Sequence, residues 1–239
     1  MGKYIKKFDT HSDYEDFTET EDYIEPNVSY CVDNTEVHYN PDVKRIVATI
    51  NVTRTDRAIY ILRSGRENLF DEIYIDGVKN SVVSSYTFDT TGEHTVEYVL
   101  KSKTELGDNV FNGSGIKSII LLDSITSIGD NAFTTCYSLT DIHLPNNITT
   151  IGSEVFMACI NLTDVTIPST ITSIGDDAFS QCSSLTSITI EATNPPTLGT
   201  GVFTGSNYPI YVPSTSVETY KAASGWSTYT SRIQPIPTT

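Results

Sequence analysis

Chemistry, if this chain performs any, has to come from a short set of residues. The four histidines are His11, His38, His94 and His143, and the four cysteines are Cys31, Cys136, Cys159 and Cys182. A catalytic site needs a few such groups of matched pKa within reach of one another. No GxSxG, P-loop or HExxH pattern accompanies any histidine, and the cysteines show neither a CxxC nor a zinc spacing. Gly199-x-Gly201-x-x-x-Gly205 superficially resembles a phosphate loop, but the Lys-Ser/Thr that should follow is missing. The sequence therefore predicts no catalytic residue, no metal site and no cofactor.

Three of the cysteines instead mark a repeat, the feature to look for first in any sequence. Ungapped copies with a period of 23 residues begin at Ile125, Ile148 and Ile171. Each carries Ile-Gly (128/129, 151/152, 174/175), Phe (133, 156, 179), Cys (136, 159, 182), Leu (139, 162, 185) and two aliphatic positions (142/144, 165/167, 188/190). Degenerate copies flank them, through Leu106, Gly107, Phe111, Ile116, Ile119 and Leu121 on one side and Leu198, Gly199, Phe203, Ile210 and Val212 on the other. That makes five coils. The run Leu-x-x-Ile-x-Leu is a short strand of a parallel ladder, and the glycine after Ile permits a turn that a Cβ would hinder. Asp130 and Asp176 fall where a carboxylate caps a short helix or helical turn carrying Phe inward.

Stacking decides what the repeated residues can do. A column of cysteines cannot surround an ion tetrahedrally, so Cys136, Cys159 and Cys182 are expected as buried thiols filling a small apolar slot. Asp108, Asp130, Asp176 and Asp177 form an acidic row, but calcium needs six or more converging oxygens, and turn capping is the expectation. The remaining candidate is a surface. The residues between the inward pairs point out and give the row Ile120, His143, Thr166, Thr189 and Tyr211. Those before each pair are Ser118, Asp141, Asp164, Ser187 and Pro209.

No single coil can bury its own apolar face, and five strands about 4.8 Å apart span only about 20 Å. Both ends need covers. Residues 214–239 supply one, with Ser214 or Ser216 opening an amphipathic helix that carries Val217, Tyr220 and Trp226. Residues 26–104 supply the other. RIVATINVT, AIYILR, EIYI, SVVSSYTF and HTVEYVL read as strands, with Asp76-Gly77 and Thr91-Gly92 as turns, which predicts a small β-sandwich-like domain. The fold class is mainly β: that domain, then a short leucine-rich-repeat solenoid over 105–213, then a C-terminal helical cap.

The unit Ile-Thr-Ser-Ile-Gly-Asp-x-Ala-Phe-x-x-Cys-x-x-Leu-Thr-x-Ile-x-Ile-Pro resembles the BspA-like leucine-rich repeat. The Pro195–Gly199 segment and the tail YVPSTSVETYKAASGWSTY are similar to that family's usual ending. The resemblance covers residues 105–235. It implies a solenoid used for adhesion or protein interaction, found in gut and oral bacteria, their phages and some protists, and it implies no catalytic residues.

Charge narrows the partners. The net charge is -15, and between Glu105 and Pro213 the only basic residue is Lys117. Nucleic acids and anionic membranes demand the opposite sign. Lys3, Lys6 and Lys7 are followed by acidic residues rather than an apolar run, so no Sec signal is expected, and no window reaches the ~18 apolar residues of a membrane span. Residues 1–25 interleave carboxylates with Tyr4, Phe8, Tyr14, Phe17 and Tyr23. Such a segment cannot fold alone, but its aromatics suit docking on other proteins of a large assembly. Because the N-terminal segment also resembles structural proteins of gut-bacterium (Bacteroides-type) phages, the expectation is a virion protein anchored by that arm. The solenoid would then be displayed toward a host-surface protein or glycan, with homo-oligomers possible. The alternative is a bacterial cell-surface adhesin.

Overall fold

The computed structural model describes the backbone of Ile5–Phe8, Ser29–Val32 and Thr35–His38, and residues 45–102 and 104–237 in full. The first three segments are β1, β2 and β3, with β1 parallel to β2 and β2 antiparallel to β3. Thus part of the stretch read as an arm is strand. Tyr4, Tyr14, Phe17, Tyr23 and the side chain of Phe8 lie outside the described residues.

The N-terminal domain is built from β4 (Ile46–Val52), β5 (Ile59–Tyr60), β6 (Phe70–Ile75), β7 (Val78–Asn80), β8 (Ser85–Tyr86) and β9 (Gly92–Leu100). Strand β4 buries Ile46, Ala48, Ile50 and Val52 on one face, the period-two pattern of a half-buried strand. Asp76 and Gly77 both take positive φ, 48° and 77°, as a two-residue hairpin turn requires. AIYILR and SVVSSYTF give only the two-residue pair β5–β8. After Tyr60 the chain turns inward, where Ile61 and Leu62 are buried and the Ile61 carbonyl accepts from the Tyr98 hydroxyl at 2.9 Å. One layer is the antiparallel sheet β4-β9-β6-β7, and this small ribbon is the other.

Each coil contributes one short and one long strand. The short strands are β10 (Glu105–Leu106), β12 (Ser127–Ile128), β14 (Thr150–Ile151), β16 (Ser173–Ile174) and β18 (Thr197–Leu198), a five-stranded parallel sheet. The long strands are β11 (Ile116–Ile120), β13 (Asp141–His143), β15 (Asp164–Ile167), β17 (Ser187–Ile190) and β19 (Ile210–Val212). A sixth rung, β20 (Ile233–Pro235), pairs parallel with β19. At the other end β11 pairs antiparallel with β4, so one sheet runs from the N-terminal domain into the solenoid. The domain covers the first coil by continuing its hydrogen-bond ladder.

Phe111, Phe133, Phe156, Phe179 and Phe203 stack in one column, with centroids 5.3, 5.5, 5.1 and 6.0 Å apart and near-parallel rings. Tyr98 closes the N-terminal end edge-on at 5.1 Å, and Tyr229 the C-terminal end at 5.1 Å. Trp226 also meets Phe203 there and donates its indole N–H to the Pro196 carbonyl. The only α-helix among the described residues, α1 (Val217–Ala222), is six residues long and stops before Trp226. Neither Ser214 nor Ser216 caps it through a side chain, because the chain enters it through a 3-10 turn, Ser214–Ser216, with Ser216 buried.

The turn after each short strand is not helical. Residues 109, 131, 154, 177 and 201, and again 113, 135, 158, 181 and 205, have left-handed φ. Backbone N–H groups in these turns donate across to the next coil, as in Asn131 to Ser153 O, Phe133 to Val155 O and Thr135 to Met157 O. The Ile-Gly glycines answer to this crowding rather than to a special φ. A Cβ on Gly152 would come within 2.5 Å of Asp130 Oδ1 and 2.9 Å of the Asp130 nitrogen. Removing the middle ring with Phe156→Ala should lower the unfolding free energy by about 3–5 kcal/mol, and Gly152→Ala by about 1–3 kcal/mol through the forced separation of two coils. Urea melts of both variants check this, and losses under about 1 kcal/mol in each would mean that the column does not hold the stack together.

Candidate functional site

The three repeated cysteines lie buried and free in the column behind the phenylalanines. Each Sγ–H donates to the carbonyl of the preceding coil's phenylalanine: Cys136 to Phe111, Cys159 to Phe133 and Cys182 to Phe156, at 3.0–3.1 Å. Burial pushes the Cys136 thiol up to about 11, the Cys182 thiol up to about 12, and the Cys159 thiol well above its ordinary value. A thiol held protonated is neither nucleophile nor ligand. Among the described residues no group of three or more His, Cys, Asp or Glu could hold a metal ion.

The acidic row does cap backbone, but that of the neighbouring coil, since no helix forms at these turns. Asp108 Oδ1 accepts from the Asp130 N–H (2.9 Å), Asp130 Oδ1 from the Ser153 N–H (2.7 Å) and Asp176 Oδ1 from the Thr200 N–H (2.6 Å). Asp177 takes a left-handed backbone instead. His94 has an arrangement that looks catalytic. Its Nδ1 lies 2.7 Å from Asp76 Oδ2, and its Nε2 lies 3.0 Å from the Thr90 carbonyl and 3.3 Å from the Thr90 hydroxyl. Both ring nitrogens are thus engaged by neighbouring turns. Asp76 also accepts the Thr95 N–H, and the group works as a clamp on two turns.

The strand face is built on two ladders, β11 with β13 and β15 with β17 and β19, with a break between β13 and β15. Ile120 is in register with His143, Thr166 with Thr189, and Thr189 with Tyr211, all outward and partly or fully exposed. Ser118 aligns with Asp141 and Asp164 with Ser187. Asp164 is engaged within the sheet: its Oδ1 accepts from the Thr186 hydroxyl at 2.6 Å and the Ser187 hydroxyl at 3.1 Å.

The sequence reading missed that this row does not end at Ile120. Val47 stands opposite Ile120, Glu97 opposite Val47 and Tyr74 opposite Glu97, and at the far end Gln234 stands opposite Tyr211. Glu97 is 3% exposed on this outer face, because Arg45 binds it at 2.6 Å and lies 3.8 Å over the Tyr74 ring. The odd Glu in HTVEYVL was a signal, since a carboxylate in a buried-strand pattern demands a cation.

The thiols give a direct check. At pH 8, below the raised values of Cys136, Cys159 and Cys182, a thiol-specific reagent should label at most one of the four cysteines of the native chain, and all four after denaturation. Rapid labelling of two or more native thiols would show that the column is open.

Residues 81–219 match a family model described as BspA type Leucine rich repeat region, in six copies. A leucine-rich repeat protein of T. pallidum is 28% identical, with a TM-score of 0.44, over 48% of this chain and 53% of that one. One from Bacteroides capillosus is 32% identical, with a TM-score of 0.35, over 40% of this chain and 66% of that one. A leucine rich cell surface protein from Faecalibacterium prausnitzii is 28% identical, with a TM-score of 0.35, over 51% and 39%. The matched region thus spans no more than about two thirds of these proteins' own length. No curated protein matches the chain. With more than half of its residues under the family model, and with coils that repeat the same inward residues, the chain belongs to the BspA type leucine-rich-repeat family.

Proposed function

We propose that this chain is a non-catalytic binding module of the bacterial cell surface, meeting a partner protein or glycan on the outward face of its long-strand sheet. The carrying observation is the register of that face. Inward residues recur in type from coil to coil, whereas the outward place in the repeat holds Ile120, His143, Thr166, Thr189 and Tyr211, four residue types in five coils. The fold leaves them free to vary, which is where recognition is written on a rigid scaffold. Membership of the family supports this reading through the adhesion and interaction roles that the resemblance implies. The virion reading, with residues 1–25 as its anchor, draws no support from the same match.

The face is apolar and aromatic at its ends, Ile120 and Tyr211, and polar in the middle. Nine carboxylates and no Lys or Arg occur over residues 118–220, so anionic surfaces are repelled and a neutral or basic partner is favoured.

Labelled chain applied to arrays of neutral glycans and of basic proteins gives the test. The double variant Thr166→Arg/Thr189→Arg should bind at least about tenfold more weakly at unchanged melting temperature, since exposed substitutions shift stability little. Ser173→Arg on the short-strand sheet should bind as the parent does. Equal binding by the double variant, or loss in the control, would remove the face from the mechanism.

A further inference from the structure

A second candidate site lies away from that face, where the N-terminal domain crosses the first coil. The Gly115 N–H donates to the Tyr60 carbonyl at 2.7 Å, and a Cβ on Gly115 would lie 2.5 Å from Ile59 Cγ2. Ile59 therefore fills the space that Gly115 leaves, and the alternation of a strand sends the Tyr60 side chain the other way, where it is 60% exposed. Beside it opens a groove of about 360 Å³ lined by Tyr60, Leu62, Arg63, Ser64, Asn112 and Gly113. That volume falls at the lower end of the range for small-molecule sites. The backbone of the wall is fixed, because the Leu62 N–H donates to the Ser84 carbonyl at 3.1 Å and the Arg63 N–H to the Val110 carbonyl at 2.9 Å. Gly113, at φ 70°, adds no side chain to fill the space.

The lining combines a buried aliphatic, Leu62, with one exposed ring, one guanidinium, one hydroxyl and one amide. The guanidinium has no counter-charge of its own. The carboxylates nearest to Arg63 in sequence are Asp56 and Glu67. Arg54 holds both oxygens of Asp56, at 3.0 and 2.6 Å, and Glu67 accepts the Gly65 N–H at 2.8 Å. Among the described residues no carboxylate pairs with Arg63. The Asn112 amide reaches only Asn109 Oδ1, at 3.5 Å, and Ser64 is exposed at the groove. A few polar groups converging beside apolar surface are what fixes the orientation of a small ligand.

Each of those groups has a counterpart in a sugar acid. We propose that the groove binds one sugar ring bearing a carboxylate, its C–H face against Tyr60, its carboxylate on Arg63 and its hydroxyls on Ser64 and Asn112. A tyrosine ring offers the apolar face that the C–H side of a pyranose needs, and a guanidinium meets a carboxylate through two parallel N–H donors. One negative charge is also what the surroundings admit. The net charge of -15 repels polyanions at a distance, whereas a single guanidinium offsets a single carboxylate. The groove shares no residue with the strand face, and either site can fail without the other.

Titration of the isotope-labelled full chain with methyl glucuronide, followed by amide NMR shifts, tests the assignment. Saturable shifts at Ser64, Asn112 and Gly113 should give a dissociation constant on the order of 1 mM, the affinity open to so small a ligand. Methyl glucoside has the same ring without the carboxylate, and acetate has the carboxylate without the ring. Each should bind at least about tenfold more weakly, having lost either the charged pair or the ring contact. Arg63→Gln should bind glucuronide and glucoside alike, and Tyr60→Ala should weaken glucuronide at least about fivefold. Both should melt as the parent does, since both side chains are exposed. Arg57→Gln and Thr166→Arg/Thr189→Arg should bind glucuronide as the parent does. No saturable shift at the groove by about 20 mM, glucoside or acetate binding as well as glucuronide, or full affinity in Arg63→Gln would each overturn the proposal.

Discussion

Ring-on-ring contact between successive phenylalanines sets the geometry that the rest of the structure obeys. The centroids are 5.1–6.0 Å apart, slightly wider than the strand spacing of about 4.8 Å. The same rise therefore serves backbone and core. A coil has one such ring and a handful of aliphatics, too few to fold alone, and gains its burial from both neighbours. A stack of this kind cannot terminate in solvent. Edge-on tyrosines from outside the repeat, Tyr98 and Tyr229, complete its two ends.

Around the rings runs a polar framework that explains the abundance of threonine. The hydroxyls of Thr126, Thr149, Thr172 and Thr197 each donate to the carbonyl of the threonine one coil earlier, and Thr140, Thr163 and Thr186 build a second such series beginning at Lys117 O. Asn161 and Ser206 donate to carbonyls in the same way, and the cysteines do so from inside. Most side chains that look chemically versatile are therefore engaged in closing the gap between coils. Among the described residues, buried side-chain polar atoms left without partners are few, which is what a tight stack requires.

Function is left to what this framework does not consume. The strand face carries apolar residues at its ends, Ile120 and Tyr211, and the carboxylates of Asp141 and Asp164 between them. The N-terminal sheet continues into β11 and β13, and a second ladder begins at β15.

The period of the repeat, the inward positions, the buried thiols and the need for covers at both ends were all legible in the sequence, because each recurs at a fixed spacing and stacking makes spacing equal to position. The two-residue turn at Asp76-Gly77 was legible for a similar reason, being a local choice of φ. What crosses between distant segments was not. The pairing of β4 with β11, the added rung β20, Tyr98 closing the ring stack and Arg45 lying over Glu97 join residues with no common period. The capping role of the aspartates also moved, from their own turn to the next coil, because the left-handed residues turn those N–H groups outward along the stack. Local pattern reports which residues a segment must bury. Which neighbour buries them is decided only when unrelated segments compete for the same edge, and there the tertiary structure has the last word.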